Sequence, residues 1–412
     1  MAKHFDIGVY GKILSVRKAY AFEVAALAMR FYTFSFSIGT ITMLTLAGYP
    51  FFQAGTVASV LAISGLVFGP IVSRAIDRHG QSKVLPVACS IVVLGSVIVI
   101  AGVLLDGPDI PLYIGAILMG FSPTPGALAR TRWTYLIETD PEVGEIIDLR
   151  SAYAYEGILD DLGFTLGPPT SIAISAAIAP VAGVVTTTVC YALGALVLIR
   201  AKGSEPEVGW GVDAEAAQSN RKRSVLTFSP LVRIVFAMML CVGAFFGIFD
   251  SATIALAQQT DQTPLASVFM MLSGAISMFG GFVFGMLRNT PSRARLLIIT
   301  AILVGCGYAC MVFIDSIVSL FVIGLIASVF YAPFLISENA AVESAVPPTH
   351  LTEALTWIHI GGTCGMAFGP TLGGFLLDEF GITAAFSCGA IFGIAIPIIA
   401  LLFRKVIYRE VR

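Results

Sequence analysis

The sequence predicts an all-α membrane protein in which twelve transmembrane helices form two pseudo-symmetric six-helix halves. Composition, long apolar segments and the placement of basic residues support this prediction. Hydrophobic residues make up 57% of the 412 residues and charged residues only 12%, whereas a soluble protein carries about 25% charged residues. A soluble fold of this length could not bury so much apolar surface in one core. The net charge of −2, with no basic stripe, argues against a nucleic-acid partner.

Twelve apolar segments reach about the 20 residues that a helix needs to cross a bilayer. They span residues 22–46, 51–73, 84–105, 110–129, 149–175, 179–199, 229–257, 264–287, 295–314, 316–340, 352–377 and 380–403. Most connections between them are short and rich in Gly, Pro or Asp, which is typical of turns that reverse a helix.

Basic residues fall on one side of the membrane when the N-terminus is placed in the cytoplasm. The outer turns near positions 48, 107, 180, 261, 315 and 379 then hold no Lys or Arg, as the positive-inside rule requires. Arg30 is the exception, since it lies within a span. We therefore expect a multi-pass protein of the cell inner membrane with both termini cytoplasmic.

The halves follow one plan. The loop after the second span, residues 73–83, has a counterpart at 285–295 after the eighth. The predicted domains are an N-terminal half at 1–200, a cytoplasmic linker at 201–228 and a C-terminal half at 229–412. A small-residue pattern also repeats on the fifth and eleventh spans, where close backbone packing predicts a seam between the halves. The seam residues are Gly163, Gly167, Pro168, Gly365, Gly369 and Pro370.

These motifs resemble the major facilitator superfamily. Its loop pattern G-x-x-x-D-R-x-G-R-[RK] is matched by Asp77, Arg78 and Gly80, and the second copy offers Asn289 in place of the Asp. The glycine pattern is similar to the signature of the twelve-helix drug/proton antiporter group, with its fuller copy here on the eleventh span. The resemblance implies alternating access, and a gating contact in which Asp77 meets the N-terminus of span 11 and latches the outward-facing-closed arrangement.

Ionisable side chains within spans are the best functional candidates, because lipid does not tolerate them without partners. Glu156, Asp160 and Asp161 lie on the fifth span, and Arg30 lies in the first. Two adjacent carboxylates in a low dielectric cannot both ionise cheaply, so these acids suit proton coupling, with Arg30 as counter-charge or substrate ligand. The alternative is a static buried ion pair.

Further candidates for counter-charge or substrate binding are Asp250 on the seventh span and Glu338 and Asn339 on the tenth. The family resemblance implies that spans 1, 4, 7 and 10 surround a central cavity. Prolines at the end of span 4 predict a broken or kinked helix there. Arg130 and Arg132, which follow these prolines, are interpreted as membrane-interface anchors.

The predicted function is proton-coupled efflux of small amphipathic compounds by alternating access. One alternative is proton-coupled or facilitated uptake of a sugar or organic acid, and another is a non-transporting membrane sensor or assembly factor. The sequence holds no P-loop and no hydrolase, zinc or nicotinamide motif. We therefore expect no enzyme activity, no cofactor and no metal. The expected partners are a small-molecule substrate, protons and the lipid bilayer, with the protein acting as a monomer.

Overall fold

The computed structural model describes residues 8–13, 15–208, 225–286, 291–347 and 350–411. These residues form helices joined by turns, and none of them lies in a strand. The α-helices are α1 (Gly8–Ile13), α2 (Arg17–Leu46), α3 (Phe51–His79), α4 (Gln81–Leu104), α5 (Ile110–Met119), α6 (Pro125–Thr139), α7 (Pro141–Ile146), α8 (Leu149–Ala177), α9 (Ala182–Arg200), α10 (Val225–Phe228), α11 (Pro230–Gln259), α12 (Thr263–Gly285), α13 (Arg293–Ala309), α14 (Ile317–Ser328), α15 (Tyr331–Ala345), α16 (Leu351–Phe380), α17 (Ile382–Leu402) and α18 (Arg404–Glu410). Short 3-10 turns follow at Lys202–Ser204 and Cys310–Phe313.

The all-α membrane fold is confirmed, since ten helical segments in the described residues are long and apolar enough to cross a bilayer. The other two predicted spans are helical but differ in kind. Span 4 breaks between Met119 and Pro125, as its prolines predict, and only the shorter helix α5 is apolar. Span 5 forms the 29-residue helix α8, which carries several charged residues. Twelve crossings therefore follow from the fold only if α5–α6 and α8 are included.

The chain divides into two compact units. Unit 1 comprises residues 1–39 and 64–212, and unit 2 comprises residues 40–63 and 213–412. Helix α3 thus contributes its first half to unit 2 and its second half to unit 1. The predicted domains at 1–200 and 229–412 stay a prediction. Of the predicted linker, residues 209–224 lie outside the described part of the chain, while 201–208 and 225–228 are described.

Arg132 of α6 links several segments of unit 1, and its side chain is 1% exposed. It donates hydrogen bonds to Gln81 Oε1 (2.8 Å), the Ser204 hydroxyl (2.9 Å) and two backbone carbonyls, those of Leu198 and Ala201. One guanidinium therefore joins the start of α4 to the end of α9. The interpretation of Arg132 as a membrane-interface anchor was wrong, because the side chain is enclosed by protein.

Unit 2 is built on α11 and α16, which touch backbone to backbone. A Cβ atom placed on Gly365 would lie 2.2 Å from the Leu240 carbonyl oxygen, and one on Gly369 would lie 2.7 Å from Gly247 Cα. Such contact is possible only for small residues, and it brings the two helix axes as close as their backbones allow. Both helices run through this contact without interruption, although Pro370 lies within α16.

The first half of α3 packs on α16 within unit 2. The Asp378 carboxylate accepts hydrogen bonds from the backbone amides of Phe51 (3.1 Å) and Phe52 (2.7 Å), at the start of α3. These amides have no partner inside their own helix, so Asp378 acts as a cap supplied by another helix. About two helical turns along α3, the Ser59 and Thr371 hydroxyls lie 2.6 Å apart.

The predicted seam residues make their closest contacts inside their own units. Gly163 faces the ring of Phe34, and Gly167 faces the Ser35 hydroxyl, so both lie where α8 packs on α2 in unit 1. Gly365 and Gly369 face α11 in unit 2, as described above. Pro168 is buried in α8, which continues through it. The role of these residues in a seam between the halves stays a prediction.

We expect Gly365→Ala to lower the thermal unfolding temperature of the protein in detergent micelles. The added methyl group has no room at 2.2 Å from a backbone oxygen, and overpacking of this kind costs about 1–3 kcal/mol. Gly65→Ala is the control, because nothing lies within 4 Å of its Cβ position in α3. Alanine is favoured over glycine in a helix by about 1 kcal/mol, so the control should unfold at the same or a higher temperature. Equal unfolding temperatures for the two variants would contradict the close contact.

Candidate functional site

The candidate site is a group of charged side chains inside unit 1, centred on Arg30 of α2. Arg30 is completely buried. Its Nε donates to Asp160 Oδ1 at 2.7 Å, and its Nη2 donates to Glu156 Oε2, so one guanidinium binds two carboxylates one turn apart on α8. The i,i+4 spacing of these acids places both on the face of α8 that meets α2. The predicted Arg30 counter-charge thus contacts two of the three predicted acids.

Asp160 binds a second cation from α6. Arg130 Nη2 donates to Asp160 Oδ2 at 2.5 Å, and both side chains keep about a third of their surface exposed, at 32% and 29%. The carboxylate of Asp160 therefore bridges a buried arginine and a partly exposed one. Arg130 thus contributes an ion pair to the group, and its role as a membrane-interface anchor stays a prediction.

Trp133 and Glu23 complete the group. The Trp133 indole is buried on α6, and its Nε1 lies 3.2 Å from Glu156 Oε1 and also donates to Glu23 Oε1 on α2. Two carboxyl groups thus share one N–H donor. Glu23 Oε2 and Arg30 Nη1 are buried and have no hydrogen-bond partner among the described residues. The group therefore holds three acids, two arginines and two polar atoms that have no hydrogen-bond partner among the described residues.

Glycine makes room for this arrangement. A Cβ atom on Gly126 would lie 2.8 Å from Asp160 Oδ1 and 3.0 Å from Arg30 Nη2, and one on Gly163 would lie 3.3 Å from Arg30 Cβ. The break in span 4 places Gly126 in the first turn of α6. The ion pairs consequently lie directly against a helix backbone, where no side chain separates them from α6.

The other predicted site residues lie apart from this group. Asp161 is exposed on α8. Asp77 and Arg78 are exposed in the last turn of α3, and Gly80 follows with a φ of +87°, a backbone conformation that favours glycine. Asn289 lies outside the described residues. The gating contact of Asp77 stays a prediction.

In unit 2, the predicted residues Asp250, Glu338 and Asn339 have different surroundings. Asp250 is half-buried on α11, and Glu338 is 1% exposed on α15 with Oε2 unpartnered among the described residues. Asn339 is exposed and donates to the Leu335 carbonyl of its own helix at 2.9 Å. Asn339 is therefore satisfied locally, whereas the two carboxyl groups are not.

Reasoning from the sequence missed Glu23, Arg130 and Trp133. A signal for Glu23 was present, because it precedes Arg30 by seven residues and so lies two turns away on the same face of α2. No comparable signal distinguishes Arg130 from Arg132, since both follow the same prolines. Which of them reaches α8 depends on how α6 packs.

Two acids beside the membrane-spanning segments are held in the charged form. The Lys18 ammonium, 2.5 Å from Asp140, lowers the pKa of that carboxyl. The pKa of Asp148, which caps the start of α8, is lowered by the backbone N–H of Ser151 at 2.7 Å. Both groups therefore stay ionised near neutral pH and do not account for a response to pH there. Among the described residues, no group of three or more His, Cys, Asp or Glu side chains is placed to hold a metal ion.

Comparison with known proteins agrees with the helical membrane architecture. The family model described as Major Facilitator Superfamily matches residues 20–336 and 292–412. The chain belongs to the major facilitator superfamily. It is accordingly a multi-pass membrane transporter that takes a small-molecule substrate, and not an enzyme. The match does not identify the drug/proton antiporter group, the substrate or the direction of transport.

One curated relative is an uncharacterized transporter of the same superfamily, YfiS of Bacillus subtilis (strain 168), 27% identical over 154 residues. That alignment covers 37% of this chain and 37% of the relative. Among solved structures, a point mutant of the nucleoside transporter NupG superposes with a TM-score of 0.70 at 15% identity, over 95% of this chain and all of that one. A bacterial homolog of the human lysosomal transporter Spinster, inward-facing and unoccupied, gives 0.69 at 14% identity over 97% and 99%. A bacterial homologue of the iron transporter ferroportin gives 0.68 at 13% identity over 96% and 99%. At these identities, the likeness extends to the fold alone.

We expect Trp133→Phe to lower the thermal unfolding temperature, because it removes the N–H donor that Glu23 and Glu156 share. Buried acceptors left without a donor cost about 1–3 kcal/mol. Trp357→Phe is the matched control, since its Nε1 lies 3.4 Å from Glu353 in a partly buried position. The control should change the unfolding temperature little. Equal unfolding temperatures for Trp133→Phe and Trp357→Phe would show that the Trp133 indole does not stabilise the charged group.

Proposed function

We propose that this transporter is a proton-coupled exporter of small amphipathic compounds, acting as a monomer in the cell inner membrane with both termini in the cytoplasm. The observation that carries the proposal is the buried group of Arg30, Glu156 and Asp160, extended by Glu23 and Arg130. Three carboxyl groups face two guanidinium groups. If all five were charged, the group would keep one net negative charge in a low-dielectric interior, which one bound proton removes.

We assign the coupling role to Asp160, because it is the carboxyl group that links α8 to both arginines. It is the more exposed of the two acids that bind Arg30, and its second oxygen binds Arg130. Protonation of Asp160 weakens both of its ion pairs at once. Helix α6 then loses its Arg130 contact with α8, and α2 keeps only the Arg30–Glu156 pair. A proton-dependent change in how these three helices pack is the property that alternating access requires. Asp161, which is exposed and outside the group, is the second candidate for the proton.

One buried nitrogen atom, Arg30 Nη1, makes uptake of an organic acid the second candidate function. Arg30 Nη1 is buried and has no partner among the described residues, so it offers a charge-assisted donor to a carboxylate-bearing substrate. An organic acid bound there would join a guanidinium that already contacts two acids. This arrangement favours a substrate that arrives together with a proton.

The deciding experiment measures transport in proteoliposomes with an imposed pH gradient. A panel of amphipathic compounds and short organic acids is supplied, and flux is followed with the gradient in each direction. For the wild type we expect flux that reverses when the gradient reverses. Asp160→Asn should abolish this gradient-driven flux, while substrate binding to the purified protein persists.

Asp148→Asn is the matched control, because it makes the same chemical change on the same helix. Asparagine caps a helix as well as aspartate does, and Asp148 stays charged near neutral pH, so gradient-driven flux should be unchanged. Gradient-driven flux through Asp160→Asn at the wild-type rate would refute the coupling role of Asp160. Flux of organic acids alone would favour uptake over export.

A further inference from the structure

Two carboxyl groups in the membrane helices of unit 2, those of Asp250 and Glu338, form no ion pair with a Lys or Arg side chain in the part of the chain that the structure describes. Residues 234–287 and 296–403 hold no Lys or Arg at all, yet Asp250 lies in α11 and Glu338 in α15. Unit 1 differs in this respect, since its buried acids bind arginines. A proton or a bound cation can neutralise such a carboxyl group.

Asp250 is the accessible member of this pair. Its side chain is half-buried, whereas Glu338 is 1% exposed and enclosed by its neighbours. No hydrogen bond or ion pair joins Asp250 to another described side chain, and its carboxylate lies within electrostatic range of the Tyr308 hydroxyl. A ligand that approaches α11 can therefore reach Asp250, while it cannot reach Glu338.

Aromatic rings from three helices meet one helical turn from Asp250. Phe246, one turn earlier on α11, has its ring centre 4.9 Å from that of Tyr331 on α15 and 6.0 Å from that of Tyr308 on α13. Tyr308 also stacks on Phe245 at 3.7 Å. The rings of Phe246, Tyr308 and Tyr331 thus form an aromatic group, with the carboxylate of Asp250 at its edge.

The hydroxyl of Tyr308 gives a second and independent sign of a ligand. Tyr308 is 2% exposed, and its oxygen has no hydrogen-bond partner among the described residues. Buried hydroxyl groups are nearly always hydrogen-bonded in folded proteins. This oxygen also lies within electrostatic range of Tyr331. The unpartnered hydroxyl is therefore part of the aromatic group.

The chemistry of these residues selects the kind of cation. A bare metal ion such as Ca²⁺ requires about six to eight oxygen ligands, and the described residues provide no cluster of acids, His or Cys that could supply them. Aromatic faces attract a cation within about 6 Å of the ring centre, and quaternary ammonium groups are bound in this way in proteins. One carboxylate beside three aromatic rings therefore matches a single positive charge on an organic body.

We propose that Asp250, Tyr308, Tyr331 and Phe246 form a binding site for an organic ammonium monocation. This inference rests on the proposed export of amphipathic compounds and names the charge class of one substrate. Asp250 neutralises the ammonium group, and the partly exposed rings of Phe246 and Tyr331 cover its alkyl and aromatic parts. The buried Tyr308 oxygen lies behind these rings and attracts the positive charge through its lone pairs.

Isothermal titration of the purified protein in a nonionic detergent tests the site without any pH gradient. The probe is benzyltrimethylammonium, and the neutral comparison is benzyl alcohol. We expect saturable one-to-one binding of the cation by the wild type and at least tenfold weaker binding of the alcohol. Asp250→Asn should weaken cation binding at least tenfold, and Tyr308→Phe, which keeps the ring, should weaken it severalfold.

Two further variants keep the test decisive. Asp315→Asn changes an exposed acid in the turn before α14 and should bind as the wild type does. Asp250→Glu keeps the charge and should retain binding, which separates loss of charge from loss of fold if Asp250→Asn is unstable. Wild-type affinity in Asp250→Asn, or no binding of the cation by the wild type, would overturn the site.

The titration and the flux assay can fail separately. Loss of the cation site with intact gradient-driven flux would remove this inference and leave proton-coupled transport standing. If cation binding depends on Asp250 but flux does not respond to the pH gradient, the cation site stands and proton-coupled transport is refuted.

Discussion

A charge inside a membrane-spanning helix must be neutralised at the position where it lies, because neither lipid nor a packed helix interface supplies water. Arg30 meets this constraint by binding Glu156 and Asp160 on the facing side of α8. The consequences extend through unit 1. Gly126 and Gly163 lack side chains, which lets the ion pairs lie directly against the backbones of α6 and α8. The start of α6 is placed so that Arg130 can bind Asp160. The packing of α2, α6 and α8 is therefore organised by electrostatics as much as by apolar contact.

Much of the fold was predictable from residue patterns. Apolar length located the helices to within a few residues, because the thickness of a bilayer fixes how long a crossing helix is, and paired prolines located the break in span 4. The pairing of Arg30 with acids of span 5 was also predictable, since few groups of opposite charge occur within the spans. Trp133 and Arg130 were not predictable, because their roles depend on which way α6 faces. That rotation is set by contacts between helices that are distant in sequence, and a local pattern does not record it.

The two units treat their buried acids in different ways. Unit 1 pairs Glu156 and Asp160 with guanidinium groups, while in unit 2 the carboxylate of Asp250 lies one helical turn from an aromatic group. Solved transporters of nucleosides and other cargoes superpose on this chain at 13–15% identity, so one architecture accommodates many substrates and the fold does not reveal the cargo. Selectivity must therefore be sought in the few polar atoms that each protein places among apolar helices. The unequal distribution of arginine between the units is the feature that most clearly separates candidate coupling groups from candidate substrate contacts here.

The cap that Asp378 provides for α3 bears on how the chain is made. The carboxylate and the amide of Phe51 that it binds are 327 positions apart, so the ribosome releases α3 long before its partner exists. During most of synthesis, the first turn of this helix must rely on water or headgroups for the hydrogen bonds that Asp378 later accepts. Unit 2 is complete only after α16 has been synthesised. Because residues 40–63 belong to unit 2, a polypeptide that starts after residue 224 lacks part of this unit. The contact between Asp378 and α3 can therefore form only after most of the chain has been synthesised.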